Sequence, residues 1–340
     1  MIKFSKYNNI EWLRLVFALQ VVFVHAFEHL NGTAIPFLSY FPGVPAFFFT
    51  SGFLIYASYE RSPSLKNYFL NRFLRLFPAL FIVSLAAFFL AAVAKGTEHF
   101  LDNLMHYLTW FIGQITILQV YNPAMFRDIG LGVMNGSLWT ITVEILFYLS
   151  IPIIIFLESF FKWTVPVLFF LSFSLYSLGE RYLGIEFALG KTIFEFLELT
   201  PLVWGWMFLL GTLSYKFFDR LVPLLNKFWL AFVGLICLGY LNQQNVFLAP
   251  SSNHLGIIYF LLYGMAILYI AFVTRYVPLK FDLSYGIYIW HGIVINFLLI
   301  FGSADVTIAL VLTIMLAVFS WFVVEKPSLK LKNYSLLNRS

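Results

Sequence analysis

The sequence predicts an all-α, polytopic membrane protein of about ten transmembrane helices with both termini cytoplasmic, and three observations carry that prediction. The first is composition. Of 340 residues, 61% are hydrophobic and 11% charged, where a soluble chain carries about 25% charged residues. So few charges cannot cover the surface of a soluble domain. The second is the recurrence of apolar runs close to the ~20 residues that a helix needs to cross hydrocarbon. The third is an uneven distribution of Lys and Arg between alternate loops. The net charge of +5 is scattered between these runs, so no nucleic-acid partner is expected. The lone Cys237 excludes an intrachain disulfide and leaves the redox compartment unread.

Taken in order, the candidate spans lie near 10–30, 41–59, 72–94, 138–157, 163–179, 199–215, 228–242, 255–274, 283–301 and 305–324. The first follows a mildly basic N-terminus. It reads as a retained helix rather than a signal peptide, because Arg14 interrupts it and no small-residue cleavage site follows. The stretch 104–120, LMHYLTWFIGQITILQV, is short and carries His106, Gln114 and Gln119. Loop charge decides its status. With ten spans and a cytoplasmic N-terminus, Lys95, Arg127, Arg181 and Lys191 fall outside, Arg14 lies within a span, and the remaining sixteen of the 21 Lys and Arg residues fall inside. Counting 104–120 as a span would invert everything after it and destroy the asymmetry. It is therefore expected to be re-entrant or interfacial. The whole of 1–340 reads as a single transmembrane domain with a short cytoplasmic tail over 326–340, where Pro327 is expected to stop the last helix.

Ionisable groups inside spans are costly and point to function by default. Arg14 and His25 share the first span, eleven residues apart. That spacing returns to nearly the same helix face and separates them by ~16 Å. His25 falls in the outer half, where an imidazole suits a general base; a satisfied structural histidine is the competing reading. Arg14 either snorkels to the cytoplasmic interface or joins Arg72 and Arg75, which are i,i+3 on the third span. Guanidiniums so grouped suit phosphate, against simple positive-inside anchoring. Glu144 sits about two turns into the fourth span with Thr140 and Tyr148 on the same face, and must meet a partner or a cavity. His291 lies near the middle of the ninth span, sharing a face with Ser284 and Tyr288. Thr50, Ser51 and Gly52 lie mid-membrane in the second span, where close helix packing is the plainer reading. No metal-ligand spacing, P-loop or dinucleotide fingerprint is present, so no metal is expected.

In chain order, Arg14-x10-His25, FFFTSGFLI (47–55), RFLRLFP (72–78), SLWTITVEILFY (137–148), LSYGIYIWH (283–291) and VEKP (324–327) resemble the acyltransferase-3 family of integral membrane acyltransferases, which includes bacterial O-acetyltransferases of surface polysaccharides. The resemblance covers nearly the whole chain. A fused extracytoplasmic esterase-like domain, carried by some members, is not expected here.

The resemblance implies transfer of an acetyl or short acyl group from cytoplasmic acyl-CoA, with acetyl-CoA as the donor co-substrate. The acceptor would be a hydroxyl of an extracytoplasmic or lipid-linked glycan, and the setting the bacterial cytoplasmic membrane with its lipid. Arg14, Arg72 and Arg75 would hold the CoA phosphates. His25 would act as base or as a transient acyl carrier, with Glu144 orienting it or balancing its charge. Ser51, Trp139, Tyr148, Tyr288 and His291 are candidates for the pocket, and Ser51, Trp139 and Tyr288 for the oxyanion donor. The competing function is a non-catalytic transporter or flippase for a sugar or lipid, which the absence of paired repeat halves disfavours.

Overall fold

In the computed structural model, residues 8–188, 191–225, 227, 234 and 253–337 are described. The apolar runs fold into helices, because backbone groups in hydrocarbon have no water to bond and must satisfy one another. Helix α1 spans Ile10–Ala26 and ends in a π-helical turn, Phe27–Asn31, closed by Gly32 at φ 65°. Then follow α2 (Gly43–Arg61), α3 (Leu65–Lys95), α4 (Leu104–Gln114), α5 (Trp139–Phe160), α6 (Thr164–Leu183) and α7 (Pro201–Lys216). After these come α8 (Ile257–Phe272), α9 (Ser284–Ile300), α10 (Val306–Ser320) and α11 (Lys326–Leu337). Helix starts use local chemistry. Ser64 caps α3, Asp305 caps α10, and Thr200 caps α7 with Pro201 at its first position.

Among the described residues, five segments are long and apolar enough to cross a membrane: Ile10–Asn31, Pro36–Arg61, Leu65–Lys95, Gly136–Phe160 and Val306–Leu331. Thr164–Gly179, Ile257–Phe272 and Ser284–Ile300 are apolar but shorter. The expected span 228–242 lies outside the described residues except for Gly234. Within 104–120, the helix α4 has 11 residues, about 16 Å of rise, which is too short to span. A small antiparallel hairpin, Glu186–Ala188 with Lys191–Thr192, lies in a polar loop where no element was expected.

The expectation for Pro327 is corrected. The chain continues helically through it into α11, because a π-helical turn, Trp321–Glu325, precedes it and places Pro327 in the first turn of the new helix. Proline is tolerated there, since its missing N–H would be unpaired in any case. Ser328 Oγ donates to the Val324 carbonyl at 2.7 Å and satisfies one acceptor of the junction.

The chain divides into two compact units. The first comprises Met1–Val21, Ile35–Pro63 and Leu146–Lys280. Its centre is the contact of α2 with α7. A Cβ on Gly52 would lie 1.8 Å from the Phe208 carbonyl oxygen, and one on Gly211 would lie 1.9 Å from that of Phe49. Small residues let two backbones approach where hydrophobic burial supplies no drive between helices. The packing reading of Thr50–Gly52 therefore holds at Gly52. At one end of this unit, Glu158 accepts from the Tyr56 hydroxyl (2.5 Å) and from the Lys216 ammonium, and Tyr215 donates to Glu60 at 2.7 Å. Asn9 ties the start of α1 to the end of α8, donating to Thr274 Oγ1 and to the Arg275 carbonyl, each at 3.0 Å.

The second unit comprises Val22–Ala34, Ser64–Ile145 and Phe281–Ser340. Its apolar core joins Ala26 to Val294, Ile295 and Leu298 of α9 and to Val306 and Ala309 at the start of α10. The loop before α5 is fastened to α9 by two asparagines. Asn296 accepts from Leu131 N (2.9 Å) and donates to the carbonyls of Val133 (3.0 Å) and Met134 (3.2 Å); Asn135 donates to the Ile289 carbonyl (2.9 Å). Gly130 takes φ 52° against this clamp, and a Cβ there would meet Asn296 Oδ1 at 2.1 Å. The far end of the loop is held to α3 by Lys95 and Asp128 at 2.6 Å, and the bonded ammonium lowers the Asp128 carboxyl below its ordinary value.

Two stability outcomes follow. Gly52→Ala should destabilise the protein by about 3 kcal/mol by forcing two helix backbones apart; thermal melting in detergent checks this, and an unchanged Tm refutes the contact. Asn296→Leu keeps the volume but strands buried N–H and C=O groups, at about 1–3 kcal/mol each. Proteolysis between residues 122 and 138 should accelerate, and an unaltered rate would show that the asparagine does not hold the loop.

Candidate active site

The second unit brings two separately expected residues, not expected as a pair, into direct contact across 266 residues. Nδ1 of His25 lies 2.9 Å from Nε2 of His291, with ring centres 5.1 Å apart. His25 is the penultimate residue of α1 and half-buried. His291 is fully buried within α9. Its Nδ1 donates backwards to the Tyr288 carbonyl at 2.6 Å. The exposed His29, on the π-helical turn, stands 5.6 Å from the His25 ring.

The backbone of α9 around His291 is held by the loop before α5. Asn135 bonds the Ile289 carbonyl and accepts from Ser137 Oγ (2.6 Å). Gly292 is bare because a Cβ there would lie 2.3 Å from Asn135 Oδ1. The buried Tyr288 hydroxyl lies 2.7 Å from Thr140 Oγ1 and 3.3 Å from the Ser137 carbonyl. Trp139, the first residue of α5, and Glu144, on its second turn, are both half-buried.

The two arginines of α3 differ in their surroundings. Arg75 pairs with Asp282 at 2.7 Å, both partly accessible. Asp282 also accepts from Ser284 Oγ at 2.6 Å, at the start of α9, where a carboxylate complements the helix dipole. Arg72, half-buried, lies 5.5 Å from the Tyr68 ring centre one turn earlier. Glu325 is buried at the second π-helical turn, accepts from Ser320 Oγ (2.8 Å), and would sit 3.1 Å from a Cβ on Gly286.

The other expected residues belong to the first unit. The Arg14 guanidinium is 6.0 Å from the Phe47 ring centre, Ser51 is half-buried within α2, and Tyr148 is buried within α5. That unit also holds an apolar cavity of about 250 Å³, lined by Phe147, Ile154, Leu168, Leu175 and Phe208 among others, with none of the expected residues in its wall. Sequence reasoning missed Asp282, Thr140's partnership with Tyr288, and both clamping asparagines. Asn296, in the apolar run IVIN, carried a visible signal, since a carboxamide inside a span needs partners.

A family model described as an acyltransferase domain matches residues 7–325. Nodulation protein 10 of Rhizobium leguminosarum bv. viciae is 30% identical, covering 98% of this chain and 96% of its own. An O-acetyl transferase of Shigella phage Sf6 is 27% identical over 94% and 96%. The peptidoglycan O-acetyltransferase OatA of Listeria monocytogenes is 26% identical over 74% of this chain and 44% of that protein. No solved structure matches. Matched along nearly its whole length, with the histidine of its first helix half-buried and hydrogen-bonded, the chain belongs to the acyltransferase-3 family.

Proposed function

We propose that the protein is a membrane O-acetyltransferase that moves an acetyl or short acyl group from cytoplasmic acyl-CoA to a hydroxyl of an extracytoplasmic or lipid-linked glycan. The observation that carries the chemistry is the half-buried His25 whose Nδ1 is engaged by the buried His291. Two relatives whose names state O-acetyl transfer, one of them to peptidoglycan, support the acyl group and the acceptor class.

In this reading the acceptor oxygen attacks the thioester carbonyl while its proton passes to His25. The C–S bond then breaks, and the departing thiolate takes that proton to leave as free CoA thiol. Glu144 orients the imidazole or balances its charge. Arg72 receives the CoA phosphates. Arg75 joins it only by exchanging Asp282 for phosphate, since its guanidinium already has a carboxylate. The unbroken α1 supports a route for the pantetheine arm, because Arg14 and His25 lie on one helix about 16 Å apart. Trp139 and Tyr288, both of the second unit, would line the acyl pocket. The membrane arrangement is the ten-span one with both termini cytoplasmic and 104–120 on the outer side, in the bacterial cytoplasmic membrane.

Purified full-length protein in proteoliposomes should release thiol from acetyl-CoA. His25→Ala should lower kcat by about a hundredfold or more without altering the melting temperature, and full activity in that variant would remove His25 from the mechanism. Arg72→Ala should raise the KM for acetyl-CoA about tenfold, equivalent to ~1.4 kcal/mol, with kcat little changed. Donor binding by calorimetry that is indifferent to the substitution would refute the phosphate site.

A further inference from the structure

We propose that His291 is a positioning residue that sets the tautomer of His25: it holds the proton of His25 on Nδ1 and so presents Nε2 to the acceptor hydroxyl as a bare lone pair. The inference rests on the reading of His25 as the general base and goes beyond it by stating which nitrogen acts and what makes it do so.

The Tyr288 oxygen has no proton to give, so the 2.6 Å contact with His291 Nδ1 requires that Nδ1 carry one. A neutral imidazole has one N–H and one bare nitrogen. With Nδ1 protonated, Nε2 of His291 is bare and can only accept. The 2.9 Å contact with His25 then requires the proton to sit on His25 Nδ1, which leaves His25 Nε2 bare. A helix carbonyl thus determines, through two imidazoles, the state of a nitrogen on another helix. The partners of a catalytic imidazole act in this way elsewhere, fixing its tautomer and ring plane.

Burial separates this role from substrate contact. His291 is fully buried, whereas His25 is half-buried, so a substrate reaches only the second ring. The carbonyl end is held as well. Asn135 bonds the neighbouring Ile289 carbonyl, and Asn296 bonds that of Gly292 at 3.1 Å. These bonds keep the α9 turn from rotating the His291 ring away. When His25 takes the acceptor's proton on Nε2, its Nδ1–H still points at the bare Nε2 of His291. The positive charge formed during transfer therefore meets a neutral acceptor, and loss of the Nε2 proton to the departing thiolate restores the starting tautomer.

Three variants and one spectrum test this in full-length protein with acetyl-CoA as the probe. His291→Leu should lower kcat for thiol release about a hundredfold, in the range seen when such a supporting partner is removed, with the KM for acetyl-CoA within about twofold of the parent. His291→Gln places a carboxamide oxygen near the former Nε2 and should restore at least about a tenth of the parent kcat. A kcat unchanged in His291→Leu overturns the proposal. So does a folded His291→Gln as slow as His291→Leu, because an accepting atom is then not what matters. Nitrogen NMR of histidine-labelled parent protein decides the matter even if His291→Leu fails to fold. Protonated Nδ1 and bare Nε2 on His25 support the proposal, and the opposite tautomer overturns it. His25→Ala distinguishes the two levels: full activity there removes the base reading itself, whereas loss there with unchanged activity in His291→Leu removes only the role of His291.

Discussion

A polar side chain set in hydrocarbon has only other protein groups to bond, and the second unit is arranged around that constraint. Helix α9 carries Ser284, Tyr288, His291 and Asn296, all buried. Each is answered by a group from outside its own apolar run: Asp282 for Ser284, Thr140 for Tyr288, His25 for His291, and the loop backbone at Leu131–Met134 for Asn296. An unanswered member would cost several kcal/mol in such surroundings, so the pairings also determine where the loop before α5 lies. The loop follows the carboxamides, and the two histidines are brought together by the same demand.

The first unit meets the constraint differently. Its main contact is made by removing side chains, at Gly52 and Gly211, so that α2 and α7 touch backbone to backbone. At one end of it Lys216, Glu158 and Tyr56 satisfy one another. The two imidazoles in contact belong to the unit built from polar pairs. That division is consistent with a site that needs oriented donors and acceptors rather than close-packed surfaces.

The charged residues at the start of α3 and α9 illustrate how spacing can mislead. Arg72 and Arg75 occupy one helix face and look equivalent by i,i+3 position. Asp282, about 200 residues later, accepts from one of them. Pro327 is a second case: a helix stop by local rule becomes a first-turn residue once a π-helical turn precedes it. Only the first outcome is distant in sequence: the carboxylate arrives through tertiary contact, whereas the π-turn directly precedes the proline and is accompanied by the bond from Ser320 to the buried Glu325, five residues apart.

Much was legible in the residues alone. Composition and apolar run lengths required membrane helices, because hydrocarbon admits little else. The expected spans that fall among the described residues correspond to helices within a few positions at most ends. Arg14-x10-His25 singled out α1 because buried charge is expensive, and six motifs in order pointed to the family. What periodicity could not supply was the partner of each polar group. Helical spacing says which residues share a face, not which face meets which, and His25 and His291 are 266 residues apart. Only the tertiary structure decided that the second histidine answers the first, that Tyr288's hydroxyl is engaged by Thr140, and that Asn135 and Asn296 hold the loop. Hydrogen bonds between helices are set by distances of a few tenths of an ångström, and a one-dimensional pattern carries no information at that scale.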